Sequence, residues 1–378
     1  MDFGFSEEQG DVQNLARTIL SEQVSAEKLS AFDEYAAERF DQALWAQLAE
    51  AGLLGIAIEE DYGGMGFGFT ELALLIEESG RTIAPVPLIP VLVSAALAVQ
   101  KFGTEQQKSR WLPGVVKGDT LLTAALSEEL QFEIGAVTGT RAIVEGDAYR
   151  LSGSKTQVAF AHRAERIIVS AVTDNGSILV LVDPTAEGVE LREQKVTTCE
   201  PTYQLVFDNV FIAAEDVLTG TDNGAEAVQW IAERTMAAMC AMQAGLADHA
   251  MRMTASFTAE RKQFGVPVAT FQAVGHRAAN CYIDVECLRL TTYQAISRLD
   301  SGLDATTEVQ IAKVWAGDTG HRVSYASQHL HGGMGIDRDY PLWRYCLWLR
   351  HNEMSLGGSA AQLAKLGARL AAGQAFCS

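Results

Sequence analysis

The sequence lacks the features that mark metal-binding, disulfide-bonded and nucleic-acid-binding proteins. Its six cysteines are scattered and form no C-x-x-C pair, so neither a zinc knuckle nor a disulfide framework is indicated, and reduced thiols are expected. Basic residues are scarce: 29 Lys and Arg stand against 48 Asp and Glu, for a net charge of -19. This balance argues against nucleic-acid and anionic-membrane partners, and any phosphate group must be bound by a local basic site.

The sequence also lacks a long uninterrupted apolar run. The stretch 83–99 contains Pro85, Pro87 and Pro90, which break helices, and the first residues lack the basic start of a signal peptide. With 378 residues, 48% of them hydrophobic, the chain can bury two or three subdomain cores. These features predict a cytoplasmic globular protein without membrane spans.

Both ends of the chain show helical periodicity. Apolar residues recur at helical spacing in 7–55, and Thr104 with Gln107 forms a predicted capping box, before a helix that is expected to end at Trp111-Leu112-Pro113. The glycine-rich loop 58–68 lacks the preceding strand and the Lys-Ser/Thr ending of a phosphate cradle, so it is predicted to be structural. Long helices are predicted again at 225–260, 271–299 and 306–327.

Between the helical parts, the pattern changes to the alternation typical of β-strands. Turn signals such as Gly146-Asp147 and Asp208-Asn209 separate the β-branched segments. The predicted strands are 121–126, 137–144, 149–151, 166–172, 178–182 and 204–207. The sequence thus predicts an α+β chain with an N-terminal helical domain (1–120), a middle antiparallel β-barrel or sandwich (121–224) and a C-terminal helical bundle (225–378).

Five short motifs follow one another along the chain. They are Gly63-Gly64-x-Gly66, Phe102-Gly103-Thr104-Glu105-Gln106-Gln107-Lys108, Gly146-Asp147-x-Tyr149-x-Leu151-x-Gly153-x-Lys155, Arg261-Lys262-Gln263-Phe264-Gly265 and His331-Gly332-Gly333-Met334-Gly335. In this order the motifs resemble the flavin-dependent acyl-CoA dehydrogenase family. The resemblance implies an N-terminal α-domain, a middle β-domain, a C-terminal four-helix bundle, and FAD held at the interface of a dimer pair.

The chemistry of that family needs a carboxylate base and a flavin. The carboxylate removes the α-proton of an acyl-CoA thioester while the β-hydrogen leaves as hydride to flavin N5. The usual Tyr-Glu-Gly-Thr-Ser turn matches Leu356-Gly357-Gly358-Ser359-Ala360, so Gly357 stands at the base position. The other position used by relatives, within 235–246, also has no carboxylate. Glu353 and Glu233 lie near these positions and are candidates for a displaced base, although solvated helix-end carboxylates are the simpler interpretation.

The segments expected to contact the flavin ring depart from the family pattern. The usual Thr-Glu-Pro-x-x-Gly-Ser-Asp run matches 127–134, where Pro, Gly and Ser are all replaced. The usual aromatic-Ile-Thr-Asn run matches 157–160, so Gln157 replaces the stacking aromatic and Ala159 replaces the threonine. The resemblance therefore implies that the isoalloxazine pocket of this chain is degraded.

A second group of residues, which in the family reaches the pyrophosphate and adenosine of the neighbouring subunit's cofactor, is better retained. Its members are Arg261, Phe264, Gln272, Gln328, His329, Gly332 and Gly333. An arginine would supply focused positive charge there. His329 stands where glutamine is usual, and Gln328 is shifted by one residue. The glycines also fit a simple helix C-cap.

Loss of the chain's own base and ring pocket, with retention of the residues that serve a neighbour, predicts a non-catalytic subunit of a heteromeric acyl-CoA dehydrogenase. It resembles the actinobacterial enzymes of lipid and steroid degradation that act on steroid-derived CoA thioesters. A paralogous catalytic partner would bind the acyl-CoA in an α2β2 assembly and pass electrons to an external acceptor. Two alternatives stay open: a self-sufficient homo-oligomeric dehydrogenase with a displaced base, and a flavin-free scaffold or acyl-CoA binder.

Overall fold

Helices form both ends of the chain and strands form its middle part. The computed structural model describes residues 4–33, 38–131 and 139–373. The helices are α1 (Glu7–Gln23), α2 (Ala26–Ser30), α3 (Gln42–Glu50), α4 (Phe69–Thr82), α5 (Leu97–Phe102), α6 (Glu105–Val116), α7 (Gly224–Glu260), α8 (Gln272–Asp300), α9 (Thr306–His331), α10 (Leu342–Met354) and α11 (Ser359–Ala371). A π-helical segment, Ile89–Ala96, runs into α5. The α+β class predicted from the sequence is confirmed.

Polar caps define the start of α6, as the sequence predicts. Thr104 Oγ1 accepts a hydrogen bond from the Gln107 amide at 3.2 Å, and Gln107 Oε1 accepts one from the Thr104 amide at 2.9 Å. The prediction that this helix ends at residues 111–113 is wrong, because it continues to Val116. Pro113 forgoes only its own amide bond, whereas its carbonyl still accepts from the Lys117 amide at 3.2 Å.

The glycine-rich loop before α4 is structural. A Cβ added to Gly64 would lie 2.0 Å from the carbonyl oxygen of Ile58, so only glycine permits the two backbone segments to approach so closely. The amide of Gly66 donates to the same Ile58 carbonyl at 2.9 Å. The loop is therefore fixed by its own backbone contacts.

One eight-stranded sheet forms the middle of the described chain. Its strands are β1 (Leu122–Ala125), β2 (Arg141–Glu145), β3 (Ala148–Ala159), β4 (Arg166–Thr173), β5 (Gly176–Val182), β6 (Val189–Gln194), β7 (Thr202–Ile212) and β8 (Val217–Thr219), and the hairpin strands β9 (Lys262–Gln263) and β10 (Val266–Pro267) lie outside it. The order is β6-β7-β3-β2-β4-β5-β8, with β1 beside β4. Most pairs are antiparallel as predicted, but β1 and β2 both run parallel to β4.

The sequence pattern missed two of these strands. β6 is rich in charged residues and alternates between half-buried and exposed positions, which weakens its apolar signal. β8 has only three residues. The strand around 149–151 is also longer than predicted, because β3 continues to Ala159 through irregularities in its register with β7.

The chain groups into two compact units. One comprises Met1–Ser30, Ala73–Ala84 and Met236–Ser378, and the other comprises Ala31–Leu72 and Pro85–Thr235. In the first unit, helices α7 to α10 share one apolar core, to which Leu246, Val285, Val323 and Leu349 each contribute one helix. This confirms the predicted C-terminal four-helix bundle. The second unit is centred on the apolar side chains of the sheet. The division into domains 1–120, 121–224 and 225–378 stays a prediction.

Candidate functional site

A short hairpin after α7 carries the Arg-x-x-Phe-Gly motif. β9 pairs with β10, and the two turn residues, Phe264 and Gly265, both have positive φ angles, 56° and 83°. Such a pair is characteristic of a type I′ turn, which suits glycine but strains a bulky residue. Phe264 is also 93% exposed, so little packing within the chain offsets that strain. A strained, exposed aromatic side chain indicates a functional contact.

The hairpin brings three of the predicted cofactor residues to one corner of the bundle. The Val268 amide donates to the Arg261 carbonyl at 2.8 Å, and the rings of Phe264 and Phe271 meet edge to face at 6.1 Å. Gln272 follows directly as the first residue of α8. Arg261, Phe264 and Gln272 are all exposed, so their side chains are available to a ligand.

The remaining predicted cofactor residues lie at the end of α9. This helix ends at His331 rather than Ser327, so Gln328 and His329 belong to its last turn instead of a loop. Gly332 has φ 61° and its amide donates to the His329 carbonyl, which confirms the C-cap interpretation. A Cβ added to Gly332 or Gly333 would meet no atom within 4 Å, so the backbone of this turn is also open to a ligand.

A stacked pair of rings, half-buried Phe257 and buried His331, joins these two segments, which the sequence did not reveal. Phe257 stacks on His331 with ring centroids 4.2 Å apart, and the Arg261 amide donates to the Phe257 carbonyl. His331 Nδ1 lies 2.8 Å from the Ser327 carbonyl oxygen, which can only accept, so Nδ1 carries the proton. Burial lowers the pKa of His331. In the sequence, the one sign that Phe257 belongs to the site is its position one helical turn before Arg261.

The turn at the family's base position contains no carboxylate and is held by two buried polar side chains. Leu356 and Gly357 have φ angles of 57° and 81°. Gln362 Nε2 donates to both of their carbonyl oxygens, at 3.2 and 3.3 Å. Lys313 Nζ donates to the Asn352 carbonyl at 2.9 Å, which fixes the end of α10 just before the turn. Desolvation by burial lowers the pKa of Lys313.

Both candidates for a displaced base already have polar partners. Glu353 accepts a hydrogen bond from Arg350 Nη1 at 2.6 Å and lies 3.4 Å from His321 Nδ1. Glu233 accepts one from Gln229 Nε2 at 2.9 Å. These contacts are typical of carboxylates on a helix surface.

The β3 residues expected to contact the flavin ring form hydrogen bonds to other residues of the sheet instead. The Gln157 amide donates to Gln194 Oε1 at 2.9 Å, and the Ala159 carbonyl accepts from Thr123 Oγ1 at 2.8 Å. Phe160, the next residue, is buried and its ring meets Phe40 edge to face at 6.1 Å. No aromatic side chain from this segment is therefore presented for stacking.

The other segment expected to contact the flavin ring, 127–134, lies partly within the described residues. Glu128 is buried and accepts hydrogen bonds from the Gly139 and Thr140 amides, at 2.7 and 3.0 Å. It also pairs with Lys155 Nζ at 2.9 Å, and desolvation by burial lowers the pKa of that lysine. Glu128 is thus a structural anchor for the backbone around it. Residues 132–134 of this run lie outside the described residues.

The described ranges hold neither a metal-binding cluster nor a helix that could span a membrane. Within 4–33, 38–131 and 139–373, no cluster of His, Cys, Asp and Glu could hold a metal ion. No helix in those ranges has both the length and the hydropathy needed to cross a membrane. The cysteines in them are free thiols, and burial raises the pKa of Cys240 to about 12.

Comparison with known proteins identifies the family. The chain matches the model of the acyl-CoA dehydrogenase N-terminal domain over residues 6–119 and that of the acyl-CoA dehydrogenase C-terminal domain over residues 222–371. It is 35% identical to acyl-CoA dehydrogenase FadE27 of Mycobacterium tuberculosis, over 98% of this chain and 99% of that protein. The chain belongs to the acyl-CoA dehydrogenase family.

Two solved structures of similar sequence share the whole fold. The ChsE4-ChsE5 complex from Mycobacterium tuberculosis matches with 35% identity and a TM-score of 0.92, over 98% of this chain and 99% of that one. A variant of the Tcur3481-Tcur3483 steroid ACAD matches with 40% identity and a TM-score of 0.90, over 97% of this chain and 98% of that one. Both comparisons confirm the helical, β, helical order of the chain.

The family is one of flavoproteins and indicates FAD as the cofactor. The residues of this chain suit one part of FAD, the pyrophosphate, but not the isoalloxazine ring. The exposed Arg261 and the open backbone at Gly332 and Gly333 suit a pyrophosphate, because a guanidinium and bare amides are good anion ligands. The β3 segment does not fit the isoalloxazine ring, since Gln157 replaces the aromatic and Phe160 is buried.

Proposed function

We propose that this chain is the non-catalytic subunit of a heteromeric FAD-dependent acyl-CoA dehydrogenase. The observation that carries the proposal is Gly357 at the position of the catalytic glutamate. Its φ of 81° lies in the region that favours glycine, and Gln362 and Lys313 hold the surrounding backbone from within the fold. The turn is therefore a well-ordered part of the bundle that carries no base.

Removal of an α-proton requires a carboxylate that is free to reach the substrate. Glu353 is paired with Arg350 and Glu233 with Gln229, so each would have to break a contact before acting. Both residues are half-buried and lie beside polar side chains. A partner subunit that supplies the base removes this difficulty.

The role left for this chain is to complete the cofactor site of its partner. Arg261 concentrates positive charge on an otherwise acidic protein, at a corner where Phe264, Gln272 and the turn at Gly332 are exposed together. The pyrophosphate of FAD is the part of the cofactor that such a corner suits best. We infer that the FAD lies at the interface and that the partner provides its ring pocket.

The surface of the bundle supports a subunit partner. Large apolar side chains are exposed on α8, α9 and the segments flanking them. They are Phe264 (93% exposed), Ile336 (73%), Tyr325 (67%), Ile283 (56%), Tyr282 (54%) and Leu290 (53%). Single exposed apolar residues are common, but a set of this size is typical of a protein interface. We name it the α8–α9 apolar surface and assign it to contact with the catalytic partner.

The relatives favour a paralogous partner and a steroid-derived substrate. Two structures similar to this chain are complexes of two different polypeptides, and one of them is a steroid ACAD. We therefore propose an α2β2 assembly that acts on a steroid-derived CoA thioester bound by the partner and passes its electrons to an external acceptor.

Expression of the chain alone and together with its paralogous partner tests the proposal. The chain alone should purify without stoichiometric FAD and without activity on acyl-CoA substrates, whereas the co-expressed complex should be yellow and active. A solitary chain that binds FAD and oxidises an acyl-CoA would instead establish the self-sufficient dehydrogenase. A complex that forms without flavin would favour the scaffold or acyl-CoA binder.

A further inference from the structure

A charged cavity of about 450 Å³ lies within the helical unit, and none of its lining residues belongs to the candidate cofactor site. Helices α1, α4, α7 and α8 contribute its walls, together with Phe5. The lining residues are Phe5, Gln13, Arg17, Glu77, Arg81, Asp248, Arg252 and Arg289. Four arginines and two carboxylates therefore face the same space, in a protein whose net charge is -19.

Three of the arginines surround one carboxylate. Arg81 donates to Asp248 Oδ2, and Arg252 Nε donates to both carboxylate oxygens at 2.9 and 3.0 Å. Arg289 Nη2 lies 3.8 Å from Asp248 Oδ1. The Asp248 carboxylate therefore faces three guanidinium groups and cannot form a full bidentate pair with each of them.

The other carboxyl groups of the cluster also pair with these arginines. Glu77 pairs with Arg81 at 3.1 Å and with Arg289 at 3.4 Å, and it also accepts from the Tyr293 hydroxyl at 2.6 Å. Desolvation by burial raises the pKa of Glu77, against the opposing effect of these two arginines. Two further carboxylates stand outside the cavity lining: Glu78 pairs with Arg17 and Arg81, and Glu286 with Arg289.

Several guanidinium donors remain unused by these pairs. Arg289 Nε is buried and has no hydrogen-bond partner in the described part of the chain, which is costly for a charged group. Arg252 uses only Nε for Asp248, and its terminal Nη groups make no hydrogen bond to any described residue. With its side chain 67% exposed, Arg252 lies where a ligand would enter from solvent.

We propose that this cavity binds a small oxyanion, such as a phosphate or a short dicarboxylate, between the guanidinium groups of Arg17, Arg252 and Arg289. Planar guanidinium forks match the oxygen geometry of both anions. A bound anion would satisfy the unused donors and join α1 to the bundle through Arg17. This site requires neither flavin nor a partner subunit, so its test is independent of the proposed function.

Calorimetric titration of the full-length chain with inorganic phosphate, and separately with malonate, tests the site. Melting temperatures are measured alongside, in chloride of equal ionic strength and pH. We expect saturable binding and a higher melting temperature with at least one of the two anions, and their ranking identifies the preferred chemistry. Arg252→Gln should weaken that binding about tenfold or more, because it removes charge-assisted hydrogen bonds.

Two variants make the result specific. Arg17→Gln should weaken binding independently, because it removes a guanidinium group from the cavity, while the buried Glu78 keeps its ion pair with Arg81. Arg192→Gln is the matched control, because Arg192 is also exposed and pairs with Glu190 on β6, away from the cavity lining. No saturable binding of either anion overturns the proposal. So does binding that is equal in wild type, Arg252→Gln and Arg192→Gln, which would reveal a general salt effect.

Discussion

The hydroxyl group of Tyr340 lies 3.2 Å from Nε2 of His331. Because Nδ1–H of the same ring donates a hydrogen bond to the Ser327 carbonyl, Nε2 of the neutral ring accepts a hydrogen bond from the Tyr340 hydroxyl. Protonation of His331 would turn Nε2 into a second donor and reverse the direction of this hydrogen bond, because the Tyr340 hydroxyl oxygen can also accept. The two contacts of His331 thus join the end of α9, and with it the glycine turn at 332–335, to Tyr340.

This arrangement predicts a loss of stability at acid pH. Burial lowers the pKa of His331 in the folded state, so the unfolded chain takes up the proton first. The contribution of His331 to the free energy of unfolding is thus fully present above the ordinary histidine pKa of about 6.5. It is lost as the pH falls from there toward the folded-state pKa of His331. Unfolding takes up at most one proton at this group, so the free energy of unfolding falls by at most about 1.4 kcal/mol per pH unit.

Urea denaturation of wild type and His331→Gln measures this effect. The pH range runs from about 7.5 to about 5, which brackets the ordinary histidine pKa of about 6.5. The variant should be less stable at neutral pH but should lose stability less steeply on acidification. His276→Gln, at an exposed position on α8, is the control and should keep the wild-type slope. Identical slopes for His331→Gln and wild type would show that His331 is not the titrating group.

Arg261→Ala should lower the FAD content of the complex with the catalytic partner without preventing assembly. Loss of a charge-assisted hydrogen bond to a phosphate typically costs about 1.5–3 kcal/mol, or tenfold or more in affinity. Flavin absorbance per milligram of complex, after dialysis against FAD-free buffer, measures the change. Arg192→Ala on β6 should retain full flavin. An Arg261→Ala complex with unchanged flavin would remove Arg261 from the cofactor site.

Ile283→Glu should disrupt assembly, because it places a charge in the α8–α9 apolar surface. A carboxylate buried at an interface without a partner costs several kcal/mol. Size-exclusion chromatography with light scattering should show dissociated chains at concentrations where wild type is associated. Ile143→Glu on β2, where Ile143 is 68% exposed, is the matched control. If Ile283→Glu assembles normally, this surface is not the interface.

The double variant Glu353→Gln, Glu233→Gln should leave the turnover of the complex within about twofold of wild type. Removal of a true general base lowers the rate by about a hundredfold or more, so the two outcomes are clearly separated. The measurement is steady-state reduction of an artificial electron acceptor with the acyl-CoA substrate. A hundredfold loss would identify a displaced base on this chain and refute its non-catalytic role.

Local signals predicted the secondary structure well. The capping box at Thr104 and Gln107 was readable because both partners lie within one helical turn. The helical spacing predicts an end of α9 at Ser327, four residues too early, whereas the helix continues to His331 and is capped by Gly332. The parallel pairing of β1 with β4 could not be predicted, since it depends on contacts distant in sequence.

The sequence identifies which residues belong to the candidate site, but not how their side chains are arranged. Motif matching identified Arg261 and Phe264, but the positive φ of Phe264 and its exposure follow from the hairpin geometry. The stacking of Phe257 on His331 was invisible, because the two residues lie far apart in the chain. For the same reason, the convergence of Arg17, Arg81, Arg252 and Arg289 on one cavity has no sequence signature.

The number of FAD molecules per complex tests the central claim most directly. The complex is purified with its catalytic partner, and flavin released by denaturation is compared with the amount of each polypeptide. We predict one FAD for each pair formed by this chain and its partner, because this chain contributes contacts to the partner's flavin and has no ring pocket of its own. Two FAD molecules per pair would contradict the account.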